Sequence, residues 1–201
     1  MTPVTFYNDK INPEIPQYQK KVFDHFSLKI NQIKSDTWPG HGQLVDNYIK
    51  SLGDNWEYFV LFDIDSIPLD KNIINEGIEW CLKNLGLFSV AQRHYKKSEV
   101  VYASPAFLIF SKKTYELIGR PSFVETHRSD VAGELTHKCI ENSLPVNILY
   151  PNHVEVERWP LTNNQKFGIG TTYNNRIFHA FESRFNNTDS FVKKCKSILN
   201  Q

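Results

Sequence analysis

The apolar run at residues 58–64 (YFVLFDI) constrains the fold more than any other segment of the chain. Because polar and apolar residues do not alternate along most of it, the run predicts a strand buried on both faces, as in the middle of a mostly parallel sheet. Two short apolar segments precede it, and each is followed by apolar residues at the spacing of one face of a helix. A third set of apolar residues at this spacing comes after the run. This alternation predicts an α/β domain in which helices flank a central mixed, mostly parallel sheet.

Composition narrows the class of protein. The 201 residues are enough for one domain with a full core. The 23 lysines and arginines nearly cancel the 22 aspartates and glutamates, so bulk charge gives no reason to expect a nucleic acid or an anionic membrane as a partner. The sequence lacks the run of about 20 apolar residues that a membrane span needs, and its three cysteines are far apart. We therefore expect no membrane span and a cytoplasmic location, with the oligomeric state left open.

Two carboxylates, Asp63 and Asp65, stand at the end of the predicted central strand. Open α/β sheets bind their ligands at the carboxyl ends of the strands. Oxygen ligands at such a place suit Mg²⁺ or Mn²⁺, which hold a diphosphate through one or two carboxylates. The alternative is that both aspartates are polar residues of a turn that Ser66 and Pro68 complete.

Several segments, taken in their order along the chain, resemble the nucleotide-sugar-dependent glycosyltransferases of the GT-A fold. The resemblance is to small single-domain members of viral or bacterial type in particular. The Asp63-Ile64-Asp65 motif is the specific feature. Around it, the β-α-β start has no glycine-rich phosphate loop, and residues 103–119 (ASPAFLIFSKKTYELIG) and 177–179 (IFH) are similar to later stretches of that family.

The resemblance implies a GT-A-like single domain over residues 1–201. Its nucleotide-binding half would cover about residues 1–66, and its acceptor half about residues 67–201. The implied activity is metal-dependent transfer of a hexose from a nucleoside diphosphate sugar, in the first place a UDP-sugar, to a hydroxyl of a glycan. For a viral protein the location would be the host cytoplasm.

The resemblance also implies a metal site. Asp65 would bind Mn²⁺ or Mg²⁺, and Asp63 would contact the ribose or sugar of the donor and reach the metal. His179 stands where the family places a late histidine that completes the metal shell, and an imidazole beside two carboxylates fits Mn²⁺ better than Mg²⁺. The alternative for His179 is a core histidine on an aromatic strand.

The nucleotide is expected over the ends of the first strands. Tyr7 and Asn8 close the first strand, Asp36 follows the second, and His41 and Asp46 lie where the next helix begins. In the family this region contacts the base and the ribose. The alternative is that the glycines around His41 make a plain turn and that Asp46 is on a solvated helix face.

Catalytic residues are expected in the second half. Asp130, with Glu134 one turn later, matches the family's general base for the acceptor hydroxyl; in a retaining enzyme Asp130 would instead contact the donor sugar. The alternative is that Asp130 is a helix N-cap. Trp159, in an expected loop, would contact a sugar ring or pack in that loop, and residues 167–175 (FGIGTTYNN) would form a mobile loop over the donor or a hairpin connection.

Two other functions remain open from the sequence. A haloacid-dehalogenase-like phosphatase would use Asp63 as nucleophile and Asp65 as acid and base, although that motif normally opens the chain. The other is a non-catalytic domain that binds a nucleotide or a carbohydrate. The donor sugar, the acceptor and the stereochemistry of transfer are not set by the sequence.

Overall fold

The computed structural model describes residues 2–94, 100–162, 164–183 and 188–200. The strands are β1 (Val4–Tyr7), β2 (Asn31–Lys34), β3 (Tyr58–Phe62), β4 (Ser66–Pro68), β5 (Leu87–Arg93), β6 (Val101–Ser111), β7 (Val146–Leu149), β8 (Pro151–Pro160), β9 (Lys166–Tyr173) and β10 (Ile177–His179). The helices are α1 (Glu14–His25), α2 (His41–Ser51), α3 (Ile73–Asn84), α4 (Lys112–Leu117), α5 (Gly133–Glu141) and α6 (Thr188–Leu199).

The larger sheet has six strands in the order β2-β1-β3-β6-β5-β7. Strands β2, β1, β3, β5 and β7 run in one direction, and β6 runs against both of its neighbours. Strand β3 is in the middle, as its apolar sequence predicts. The expected class, a mixed and mostly parallel sheet flanked by helices, is confirmed.

Strand β3 shows why the central strand is apolar throughout. Val60 and Phe62 point into one core cluster with residues of α1 and α3, whereas Phe59 and Leu61 point into another with residues of α2, α4 and α5. Successive side chains of a strand alternate between the two faces of the sheet. Both faces of β3 are therefore covered by helices, and all four of these side chains are apolar.

The smaller sheet is antiparallel, with the order β4-β10-β9-β8. Strand β4 follows β3 after three residues, so the second sheet begins beside the carboxyl end of the first. Asn174 and Asn175, both with positive φ, are the central residues of the tight turn between β9 and β10, which a hydrogen bond of 2.8 Å from the Arg176 amide to the Tyr173 carbonyl closes. Asparagine tolerates this conformation better than most residues.

Two expectations about the second half are wrong. Residues 167–173 belong to β9 and are buried, so they form neither a mobile loop nor a hairpin connection, and only Asn174 and Asn175 of the predicted segment lie in the turn between β9 and β10. The glycines there serve close packing: a Cβ on Gly168 would be 2.2 Å from the carbonyl oxygen of Val156 on β8. Trp159 lies on β8 rather than in a loop. Across the described ranges, the helices include none that is long and apolar enough to cross a bilayer.

Candidate functional site

Asp63 and Asp65 occupy the connection between β3 and β4, at the carboxyl end of the central strand. Gln19, a buried residue of α1, fixes this connection. Its side-chain amide donates hydrogen bonds to the carbonyl oxygens of Asp63, at 2.8 Å, and Ser66, at 2.9 Å. The two aspartates therefore leave the sheet from a backbone that is held in place on its buried side.

His179 approaches the two aspartates from the second sheet. Strand β10 pairs with β4 so that His179 is opposite Ser66. The Nε2 atom of His179 is 3.2 Å from Oδ1 of Asp65 and 3.7 Å from Oδ2 of Asp63, and its side chain is 5% exposed. One ligand atom from each of the three residues lies within 4.8 Å of the others. We call Asp63, Asp65 and His179 the acidic triad.

A strained turn after His179 completes the surroundings of Asp65. Phe181 and Glu182 both have positive φ, a conformation that costs free energy in non-glycine residues and often occurs at functional sites. The turn brings Ser183 back, and its hydroxyl donates a hydrogen bond of 2.5 Å to Oδ2 of Asp65. The ring of Phe181 packs against His179 with their centroids 3.7 Å apart. The side chains of His179 and Ser183, which both contact Asp65, are thus held in place.

The two carboxylates differ in their electrostatic surroundings. Burial raises the pKa of Asp63, and the nearby His41 and His179 offset part of this effect. Burial also acts to raise the pKa of Asp65, but the charge of His179 and the hydrogen bonds from His179 and Ser183 lower it overall. Two adjacent carboxylates that are largely shielded from water repel each other unless a proton or a cation lies between them.

The acidic triad suits a divalent metal ion. Carboxylate oxygens are ligands for Mg²⁺ and Mn²⁺, and the imidazole nitrogen adds a donor that Mn²⁺ accepts more readily than Mg²⁺ does. Ligand atoms within 4.8 Å of one another are close enough to share one ion. The residues present therefore fit the metal that the sequence resemblance implies.

A cleft of about 680 Å³ opens over the acidic triad. It lies along the carboxyl ends of β1, β3 and β5 and the start of β6, which is the edge where α/β sheets bind ligands. Tyr7 and Asn8 line it on the β1 side, and Gln92 and Tyr102 on the opposite side.

An aromatic wall borders the cleft on the β1 side. Trp38 stacks on His41, with ring centroids 6.3 Å apart and an interplanar angle of 30°, and Trp38 is 40% exposed. The Nδ1 atom of His41 is 3.4 Å from Oδ1 of Asp63. Trp38 is not among the site residues predicted from the sequence, and its position within the proline- and glycine-rich TWPGHG segment is the signal that could have indicated it.

The cleft brings together seven of the residues that the sequence predicts for the site, and these are Tyr7, Asn8, His41, Asp63, Asp65, Asp130 and His179. Asp130 is not the N-cap of α5, because that position is taken by Ala132. One carboxylate oxygen of Asp130, Oδ1, accepts a hydrogen bond of 2.8 Å from the backbone amide of Val131. The N-cap alternative for Asp130 is therefore wrong.

The other four predicted residues, all within the described ranges, lie outside the lining of the cleft, and these are Asp36, Asp46, Glu134 and Trp159. Asp36 is exposed beyond β2. The carboxylate of Asp46 accepts hydrogen bonds from the Ser122 hydroxyl, at 2.5 Å, and the Phe123 amide, at 2.9 Å.

Glu134 and Trp159 also have structural partners. Glu134 accepts a hydrogen bond of 3.0 Å from Nε of Arg128. Trp159 packs on Phe167 and Phe181, with ring centroids 5.3 and 5.6 Å away. Phe181 in turn packs on His179, so Trp159 supports the acidic triad indirectly, through Phe181.

Comparison with known proteins finds similar folds among solved structures. No protein-family model and no curated protein matches this sequence. Among solved structures, a mannosyltransferase from Pyrobaculum calidifontis in complex with GDP-Man and Mn²⁺ is similar, with a TM-score of 0.50 and 9% identity over 74% of this chain and 55% of that one.

Two further structures are also similar. The β1,4-galactosyltransferase 7 of Drosophila, in complex with manganese, UDP-Gal and xylobiose, is 12% identical over 95% of this chain and 79% of its own, with a TM-score of 0.49. A glycosyltransferase involved in glycosylation of the major capsid of the virus PBCV-1 is 10% identical over 75% and 81%, with a TM-score of 0.42. The chain has the fold of the GT-A glycosyltransferases, which confirms the resemblance seen in its sequence.

Proposed function

We propose that this protein is a divalent-metal-dependent glycosyltransferase that moves a hexose from a nucleoside diphosphate sugar, with UDP as the nucleotide, to a hydroxyl group of a glycan. The observation that carries the proposal is the acidic triad at the base of a cleft along the carboxyl edge of the sheet. Two adjacent carboxylates, Asp65 buried and Asp63 partly buried, are a poor site for an anionic diphosphate on their own. A cation between them and the diphosphate removes this conflict.

In this proposal the acidic triad holds Mn²⁺, or Mg²⁺ in its place. When bound, the ion supplies a positive charge that stabilises the diphosphate leaving group. Ser183 keeps one oxygen of Asp65 oriented, and the packing of Phe181 fixes the ring of His179. Mutations of these supporting residues would act on the metal site through geometry.

The nucleotide would occupy the β1 side of the cleft. The exposed face of Trp38, stacked on His41, offers an aromatic surface for the base. Tyr7 and Asn8, at the end of β1, offer a hydroxyl and an amide for the ribose. Asp36 and Asp46 have no place in this proposal, because neither lines the cleft.

Asp130 is the proposed general base. Its Oδ1 atom is held by the Val131 amide, and its Oδ2 atom has no hydrogen-bond partner in the described part of the chain. In the transfer step, the acceptor oxygen forms a bond to the anomeric carbon, while the bond from that carbon to the diphosphate breaks and the electron pair leaves with the diphosphate. The hydroxyl proton passes to Asp130. Glu134 is proposed to act indirectly, through its ion pair with Arg128 near this loop.

The P. calidifontis mannosyltransferase supports the chemical class of the ligand. It has a similar fold and was solved with GDP-Man and Mn²⁺, a nucleoside diphosphate sugar and a metal of the type that the acidic triad suits. The choice of UDP over GDP rests on the sequence resemblance.

A thermal-shift measurement tests the binding half of the proposal. We expect UDP with Mn²⁺ to stabilise the protein, by about 2.7 kcal/mol when UDP is at 100 times its Kd. For a chain of this size that corresponds to a rise in Tm of about 5–10 °C. UDP in EDTA, and AMP with Mn²⁺ as a monophosphate control, should shift Tm far less. Equal shifts by UDP with Mn²⁺ and in EDTA would contradict the proposed metal site.

A further inference from the structure

The cleft extends past the acidic triad to a polar wall made by β5 and β6. Gln92 on β5 and Tyr102 on β6 are directly opposite each other in the antiparallel pairing. Opposed residues of neighbouring strands project from the same face of the sheet, so their side chains lie side by side. Both line the cleft, and so does Asp130.

Tyr102 is buried and lines the cleft. The residue is 2% exposed, yet its hydroxyl makes no hydrogen bond to any residue that the structure describes. Burial raises the pKa of Tyr102 well above its ordinary value, and the charges of Asp130 and Asp63 add to this effect. The phenol therefore stays protonated and can donate a hydrogen bond into the cleft.

Gln92 is oriented by a short chain of hydrogen bonds. The amide of Ala106 donates to Oγ of Ser104 at 3.1 Å, and the Ser104 hydroxyl donates to Oε1 of Gln92 at 2.6 Å. Since the oxygen of Gln92 is engaged, its NH₂ group is directed elsewhere, and that group has no partner within the described ranges. Gln92 thus presents fixed donors beside the phenol of Tyr102.

We infer that Gln92, Tyr102 and Asp130 form a subsite for the hydroxyl groups of an uncharged hexose. A sugar hydroxyl both donates and accepts hydrogen bonds, which matches two neutral donors beside one carboxylate acceptor. The inference rests on the proposed function, and it gives that site a substrate class. The hexose is the transferred sugar of the donor or the sugar that carries the acceptor hydroxyl.

The charges around this subsite exclude an acidic sugar. Glu125, Asp130 and Glu182 line the cleft, and of these Glu182 is paired with Arg158 at 2.8 Å. Lys10 is the one lysine or arginine among the described lining residues. Lys10 follows Asn8 at the end of β1, on the other side of the cleft from Tyr102. A uronic acid at the subsite would lie against the carboxylate of Asp130 with no lysine or arginine of the described lining beside it. Like charges placed together are costly.

Tyr102→Phe and Gln92→Leu test the subsite. We expect each variant to reduce kcat/KM about 3- to 10-fold, the size expected for loss of one neutral hydrogen bond. The Tm of Tyr102→Phe should be unchanged or higher, because loss of the hydroxyl leaves no hydrogen-bond partner unsatisfied among the residues that the structure describes. The Kd of UDP with Mn²⁺ should not change. Tyr150→Phe, which removes an exposed phenol, is the matched control and should have wild-type kinetics.

Two kinetic arms distinguish the sources of the hexose. Hydrolysis of UDP-glucose, UDP-galactose, UDP-GlcNAc and GDP-mannose is measured without acceptor, and transfer is measured with methyl glycosides as acceptors. A slower hydrolysis by the variants assigns the subsite to the donor sugar, whereas unchanged hydrolysis with a raised KM for the acceptor assigns it to the acceptor sugar. Variants that match wild type in both arms would overturn the subsite alone. Wild-type protein that turns over no donor would overturn the proposed function as well.

The exclusion of acidic sugars has its own measurement. The neutral sugar nucleotide that wild type uses fastest is compared with the matching hexuronate donor, and hexosides are compared with hexuronides as acceptors. We expect at least about 10-fold lower kcat/KM for the uronate in the arm that uses the subsite. A uronate used as well as the neutral sugar in that arm would overturn the assignment.

Discussion

Asp65→Asn should abolish most of the donor turnover, with a fall in kcat/KM of about 10³-fold. The substitution keeps the shape of the side chain but removes the charge that the acidic triad presents to a divalent metal. Metal stabilisation of a leaving group contributes several kcal/mol to the transition state, and about 4 kcal/mol corresponds to this loss of rate. Turnover of the donor at saturating Mn²⁺, and calorimetric titration of Mn²⁺ in the presence of UDP, are the measurements.

The control for Asp65→Asn separates charge at the site from charge in general. Asp24→Asn removes an exposed carboxylate that pairs with Lys20 along α1, and it should leave turnover at the wild-type level. The far-ultraviolet circular dichroism of Asp65→Asn should match wild type, since the backbone there is held by Gln19. Turnover by Asp65→Asn within tenfold of wild type, still dependent on Mn²⁺, would show that the metal is bound elsewhere.

Phe62→Ala should lower the free energy of unfolding by about 3–5 kcal/mol. Phe62 is fully buried, and its ring lies 4.9 Å from that of Phe107 and 5.1 Å from that of Phe23. Truncation removes buried apolar surface and leaves a cavity between the sheet and α1. Urea unfolding followed by tryptophan fluorescence gives the value, with an m-value close to that of wild type.

Ile140→Ala is the matched control for Phe62→Ala. Ile140 is 57% exposed on α5, and substitutions at such positions usually change stability by less than about 0.5 kcal/mol. Phe62 is also the residue directly before Asp63, so the loss of packing should loosen the start of the connection that carries Asp63 and Asp65. A loss of less than 1 kcal/mol in Phe62→Ala would contradict the role given to this side chain in the core.

The sequence was sufficient for the parts of the fold that depend on local pattern. The central strand β3 could be predicted because burial on both faces requires apolar residues at every position, and Asp63 and Asp65 stand out because they interrupt that run. His179 was reached through the family resemblance and its order along the chain. The structure adds the pairing of β10 with β4, which brings His179 next to both aspartates.

Other features depend on contacts between distant segments, which no local pattern contains. The glycines of β9 predicted a loop because glycine is common in flexible segments, whereas Gly168 is there because the backbone of β8 approaches too closely for a Cβ. Asp46 has the composition of a ligand-binding position, but its partners, Ser122 and Phe123, are more than 70 residues away. The Gln92 and Tyr102 pair likewise follows from strand register.

Release of nucleoside diphosphate from a panel of nucleotide sugars is the most direct test of the central claim. Wild-type protein is incubated with UDP-glucose, UDP-galactose, UDP-GlcNAc and GDP-mannose, in Mn²⁺ and in EDTA, with methyl glycosides as acceptors. We predict release from at least one donor that occurs in Mn²⁺, is lost in EDTA and is accompanied by a new glycoside. Release of inorganic phosphate from phosphosugars, with no nucleoside diphosphate released from any donor in Mn²⁺, would contradict the claim.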